Sequence, residues 1–129
     1  MKNLRLAVID DENDSGELYS YYLADLGHEV IRFINAKQAL EALKKTEVDV
    51  IITDLKMPHL SGIHLIQELS KFHKRPVPSI LLTKNGEDED LESLKSLGFI
   101  EIISKSHGPE KLAEALTIHF SNINSLMYA

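Results

Sequence analysis

Cysteine is absent from the 129-residue chain. That excludes disulfide staples, thiol catalysis and cysteine-bound zinc or iron–sulfur clusters, and nothing points to an oxidising compartment. Long hydrophobic runs are missing too: no apolar stretch approaches the ~20 residues of a membrane span. Residues 1–12 hold a short apolar stretch broken by Arg5 and closed by acids, so they do not read as a secretory signal. Positive charge is in the minority, with 14 Lys and Arg against 20 Asp and Glu and a formal net charge of −6. Clustered cations are what hold nucleic-acid phosphates and anionic membranes, so neither direct DNA binding nor membrane attachment is expected. These exclusions leave a soluble protein, expected in the cytoplasm.

What is present is a globular composition. Hydrophobic residues make up 43%, which at this length suits one core but not two. Five short apolar runs occupy 4–10, 28–33, 48–54, 77–83 and 100–104. The first, third and fourth are nearly continuous in Val, Ile and Leu, as expected of strands buried on both faces of a parallel sheet. The second and fifth are more mixed, which suits sheet edges.

Helical spacings fill the gaps. The first stretch carries Leu18, Tyr22 and Leu26 as a core stripe and stops at Gly27, with Asp14 as the expected N-cap and Tyr19 and Tyr21 at the surface. The second carries Ala39, Leu40 and Leu43. The third carries Ile63, Leu65, Ile66 and Leu69 after the turn signal Pro58-His59-Leu60-Ser61-Gly62. The fourth carries Leu91, Leu94 and Leu97 before Gly98. The fifth opens at Pro109 and carries Leu112, Ala115, Leu116 and His119. Strand alternating with helix five times predicts an open parallel α/β sheet with helices on both faces. Residues 1–121 read as one domain and 122–129 as a tail, with no output domain.

In open sheets of this kind, sites form at the carboxyl ends of the strands. Those ends carry Asp10-Asp11-Glu12, Asp54, Thr83 and, just past the fifth strand, Lys105. Two carboxylates about 4 Å apart repel by about 4 kcal/mol at a protein-surface dielectric, so such a cluster calls for a cation. Mg²⁺ is the default, since it accepts a few carboxylates and keeps its waters. Lys105 supplies a second, fixed cation. A carboxylate beside both is arranged for phosphoryl transfer: it can attack in line while the cations neutralise charge and Thr83 donates a hydrogen bond to a phosphoryl oxygen. Asp54 stands alone at the central strand and is the expected nucleophile. Asp10 and Asp11 are placed to share the metal. Each residue alone is an ordinary cap or solvated charge; their conjunction on four strand ends carries the reading.

On these residues the chain resembles the receiver domain of two-component response regulators. The acid pair in VIDDEND, Asp54 with Met57, Pro58 and Gly62 in IITDLKMPHLSG, Thr83 in ILLTKNG and Lys105 in EIISKS carry the match, which spans residues 4–120. The resemblance implies a flavodoxin-like (βα)₅ sheet of order 2-1-3-4-5. It implies phosphotransfer to Asp54 from a sensor histidine kinase or phosphotransfer protein, by a phosphoacceptor rather than a turnover enzyme. Mg²⁺ would be held by the Asp11 and Asp54 side chains and the Lys56 backbone carbonyl, with Asp10 acting through water. A downstream protein partner would bind the face of the fourth helix, fifth strand and fifth helix.

The chain also departs from the family. Ile102 stands three residues before Lys105 where the family has an aromatic ring, which removes the usual relay. Ser106 replaces a proline. Lys84 replaces a small residue and places a long cation beside the site, to attract the phosphoryl group or obstruct access. Lys56 and Asn85 occupy positions that tune the lifetime of the acyl phosphate. The phosphorylation site reads as complete and the read-out as atypical. That keeps a second reading open, a degenerate receiver acting as a phosphorylation-independent interaction module. Enzymes on similar folds fit less well: a flavodoxin needs a Ser/Thr/Gly-rich loop where Asp10-Asp11-Glu12 stand, and a haloacid-dehalogenase-type phosphatase needs Asp-x-Asp and a cap domain. The acidic run 87–92 is expected to open the fourth helix, where it complements the dipole; a partner surface is its other reading. His59 is expected as a solvated loop residue near the site.

Overall fold

In the computed structural model, residues 3–84 and 88–121 are described. The apolar runs form β1 (Arg5–Ile9), β2 (Glu29–Phe33), β3 (Val50–Asp54), β4 (Ser79–Thr83) and β5 (Phe99–Ser104). Every residue of β3 and β4 is buried, whereas β2 and β5 are mostly half-covered. Their order is β2-β1-β3-β4-β5 and every pairing is parallel. This is the flavodoxin-like sheet expected above, with the mixed runs at its edges.

Between the strands lie α1 (Asn13–Asp25), α2 (Ala36–Leu43), α3 (Gly62–Leu69), α4 (Leu91–Leu94) and α5 (Pro109–Leu116). Alternation along each strand divides the core in two. Leu6, Val8, Ile52, Ile80 and Leu82 meet Leu23 of α1 and Leu112 and Leu116 of α5. Ala7, Ile9, Ile51 and Leu81 meet Leu43, Leu65, Leu69 and Leu94 from the other three helices. Fully burying one such side chain stabilises the fold by about 1.5–3 kcal/mol. Side-chain caps fix three helix starts: Asn35 accepts from the Gln38 N–H, Ser61 from His64 and Asp90 from Glu92. Among the described residues, no helix is long and apolar enough to cross a membrane.

Three local expectations are corrected. The buried stripe of α1 is Gly16, Tyr19, Ser20 and Leu23. Leu18 and Leu26 are 51% and 46% exposed, and Tyr19 is buried while Tyr21 is exposed as expected. At one position of that stripe, Gly16, the Arg32 guanidinium of β2 fills the space a Cβ would need. The helix turns small and amphipathic residues inward there, which an aliphatic pattern does not detect. Asp14 is also not the cap: α1 starts at Asn13, and Glu12 occupies the cap position without a side-chain cap bond. Finally, Asp88 and Glu89 precede α4 rather than opening it, because Asp90 takes the cap and leaves Glu92 as the first-turn acid. Asn85, Glu87 and the 122–129 tail lie outside the described residues.

Candidate functional site

Sheet register brings four strand ends to one edge. Ile9 pairs with Thr53, Asp54 with Leu82, and Thr83 with Ser104. The next residues, Asp10 after β1 and Lys105 after β5, therefore emerge beside Asp54 and Thr83.

Asp54 ends β3 and is 3% exposed. The loop beyond it is closed tightly: Leu55 N–H donates to the Leu82 carbonyl and Gly62 N–H to the Leu55 carbonyl. A Cβ at Gly62 would overlap the Asp54 carbonyl oxygen, so a residue with a side chain cannot start α3 in this position. His59, within that loop, is exposed and holds a left-handed backbone (φ 72°).

Asp10 is fully buried. Its Oδ2 accepts from the Ser15 hydroxyl at 2.6 Å and its Oδ1 from the Glu12 N–H at 2.9 Å. Lys105 closes the group. Its Nζ lies 2.7 Å from Asp54 Oδ1, 3.1 Å from Asp10 Oδ2 and 3.1 Å from Glu12 Oε1, and it donates to Ser15 Oγ at 3.2 Å. The contact with Asp54 is one of charge: neither oxygen of that carboxylate has a partner in hydrogen-bond geometry.

Burial pushes the Asp54 carboxyl up to about 8; the nearby Asp10 adds to the rise and Lys105 opposes it. Burial acts on Asp10 in the same sense, but Asp54, Ser15, the Glu12 N–H and Lys105 outweigh it and hold Asp10 below the usual carboxylate value. Two acids this close share their protons as a pair, with Asp10 the ionised member. Burial alone would lower Lys105, yet Asp54, Asp10 and Glu12 keep it firmly charged.

Asp10, Glu12 and Asp54 each offer an oxygen, all within 4.8 Å of one another. A buried carboxylate without hydrogen-bond partners, facing two other hard oxygen donors, fits a divalent cation such as Mg²⁺. Asp10, Asp54 and Lys105 are thus together, as the sequence led us to expect. Thr83 is at the same edge and buried. Asp11 is exposed and outside the oxygen cluster, and the Lys56 side chain is exposed. Glu12 and Ser15 are the residues sequence reasoning missed. The chain bends at Asp11, and the Glu12 N–H turns back to the Asp10 carboxylate, which places Glu12 rather than Asp11 beside Asp10.

The departures also have structures. Ile102 packs in the aliphatic cluster beneath α4. Ser106 sits in a one-turn 3₁₀ helix, Lys105–His107, where its N–H donates to Ser104 Oγ at 3.3 Å; there is no cis peptide bond among the described residues.

A family model described as response regulator receiver domain matches residues 6–117. Regulatory protein VanR of Enterococcus faecium is 31% identical over 110 residues, 84% of this chain and 46% of VanR; the chain spans less than half of that relative's length. Among solved structures, a response regulator receiver domain protein from Clostridium thermocellum is 28% identical with a TM-score of 0.79, covering 95% of this chain and 98% of its own. The receiver domain of sensor histidine kinase PA1611 from Pseudomonas aeruginosa PAO1, solved with a magnesium ion in its active-site cleft, shares the fold. It is 23% identical with a TM-score of 0.76, covering 90% of this chain and 96% of its own.

Proposed function

This chain belongs to the response regulator receiver domain family, and from that premise we propose that it is a Mg²⁺-dependent phosphoswitch whose acceptor is Asp54. The observation that carries the proposal is the buried Asp54 carboxyl, which faces Lys105 at 2.7 Å and has no partner in hydrogen-bond geometry. A carboxylate oxygen of Asp54 forms a bond to phosphorus as the bond from phosphorus to a donor's imidazole nitrogen breaks, and that nitrogen keeps the electron pair. Lys105 holds the charge on the phosphoryl oxygens through the transfer. Thr83, at the end of the next strand, is the hydroxyl within this edge to bind the transferred group. Asp54, Asp10 and Glu12, with Asp11 at the rim and the Lys56 carbonyl, would hold Mg²⁺, which neutralises phosphoryl oxygens as a Lewis acid.

The donor is a sensor histidine kinase or phosphotransfer protein in the cytoplasm. The output is a changed affinity for a protein partner at the face made by α4, β5 and α5. Beside that face, Leu91 and Lys95 of α4, Phe99 of β5 and His119 beyond α5, together with Arg75 and Pro76 before β4, line a groove of about 700 Å³. An intact cluster around Asp54 does not favour the degenerate-module reading. The expected result is a gain of one phosphoryl mass on incubation with acetyl phosphate and Mg²⁺. With a phosphoryl mimic bound, amide shifts are expected to change both at the site and within 88–121. Changes confined to the site would support a constitutive module instead.

A further inference from the structure

Lys84 follows Thr83 at the end of β4, and its side chain is 59% exposed. Its Nζ lies 3.1 Å from Glu12 Oε1. The same Glu12 oxygen is 3.1 Å from Lys105 Nζ, which in turn is 2.7 Å from Asp54 Oδ1. A continuous chain of alternating charge therefore runs from the buried Asp54 through Lys105 and Glu12 to Lys84 at the rim. Strand order gives the outer link its meaning. Glu12 follows β1 and Lys84 follows β4, and β3 lies between those two strands. The Glu12–Lys84 ion pair accordingly crosses the mouth of the site above the end of β3, where Asp54 stands.

We propose that Lys84 is a second phosphoryl-holding cation that sets the lifetime of the acyl phosphate; this rests on Asp54 being the acceptor. In the resting protein Lys84 is parked on Glu12. An exposed ion pair of this kind is cheap to break. A phosphoryl group on Asp54 brings close to two negative charges and three acceptor oxygens, a stronger partner than the Glu12 carboxylate, which Lys105 already shares. Glu12, with a small contribution from Asp54, outweighs the nearby Lys105 and holds the Lys84 ammonium charged. Lys84 then exchanges Glu12 for a phosphoryl oxygen and covers the approach of water. The step it slows is hydrolysis. A water oxygen bonds to phosphorus as the bond to the Asp54 oxygen breaks; one water proton stays on the inorganic phosphate, the other leaves to solvent, and the Asp54 carboxylate is restored.

The test loads the full chain from acetyl phosphate and Mg²⁺, removes the donor, and follows loss of the phosphoryl group by intact mass. Lys84→Ala and Lys84→Met, the second of which keeps the bulk without the charge, are expected to lose it about threefold faster or more. Lys84→Arg is expected to stay within about twofold of the parent. Because the side chain is on the surface, all three variants should keep the parent's circular dichroism and melting temperature. Decay of the Met variant at the parent rate or slower would overturn the proposal. Failure of the parent chain to load at all would remove the Asp54 assignment and this proposal with it, and it shows before any decay is measured.

Discussion

Lys105 Nζ stands 2.7 Å from Asp54 Oδ1, although Asp54 ends β3 and Lys105 follows β5, two strands that are not neighbours. The lysine reaches across the end of β4 to meet β3, and on the same ammonium it gathers Asp10 from β1. One ammonium against two buried carboxylates is an imbalance: with both ionised the pair outweighs Lys105, and near neutral pH the proton kept on Asp54 relieves it. A divalent cation is the addition that this imbalance prepares for.

The imbalance also sets a pH dependence. The folded Asp54 carboxyl is raised to about 8 from 3.8. A raised pKa contributes stability that is fully present below the unfolded value and lost as pH rises through the folded one. Without divalent cations, stability should therefore fall between about pH 4 and pH 8. Asp10, held below its ordinary value, acts in the opposite sense, but below that window. Asp54→Asn removes the loss and should be more stable than the parent at pH 8, by roughly 1–3 kcal/mol. Urea unfolding across this range checks it, and equal slopes for the two proteins would count against the coupling.

Mg²⁺ should raise the melting temperature at pH 8, since a ligand bound only by the folded state stabilises it by about 2.7 kcal/mol at 100 times its Kd. Glu12→Gln and Asp11→Asn separate two ligand sets. If the oxygen cluster of Asp10, Glu12 and Asp54 holds the ion, Glu12→Gln weakens the thermal shift more. The reverse ranking would assign the ion to Asp11.

That division also marks what was legible in the sequence. One strand per apolar run and the convergence of Asp10, Asp54, Thr83 and Lys105 follow from strand ends, because in a parallel sheet every strand delivers its last residue to the same edge; the sheet order came from the family resemblance. Side-chain direction within three consecutive acids was harder to read. The inward face of α1 was hidden for another reason: it includes Gly16 and Ser20, and the space at Gly16 is taken by Arg32, 16 positions away in the chain. Such long-range packing overrides a local periodicity.

Gly62→Ala should be destabilising by about 1–3 kcal/mol, because its Cβ would meet the Asp54 backbone oxygen. Relief of that overlap moves the end of β3, so phosphoryl uptake should fall with stability. Thermal unfolding and a loading assay on the same preparation test both effects. A fully stable variant that loads normally would show that the loop closes with room to spare.

His28 gives a second, independent pH effect. It is 5% exposed, and its Nδ1 accepts the Leu4 N–H at 3.1 Å. An accepting Nδ1 leaves the ring hydrogen on Nε2, which is buried without a partner. Burial lowers its pKa from 6.5, so its contribution is present above 6.5 and lost as pH falls through the lower folded value. Proton NMR should show the imidazole neutral at pH 6.5. A midpoint at or above 6.5 would contradict this.

The most direct measurement is intact mass after incubation with acetyl phosphate, on the parent chain and on Asp54→Asn, each with Mg²⁺ and with a chelator. One phosphoryl group on the parent with Mg²⁺, and none in the other three samples, is the predicted result. An adduct on Asp54→Asn equal to that on the parent would contradict the assignment of Asp54 as the acceptor.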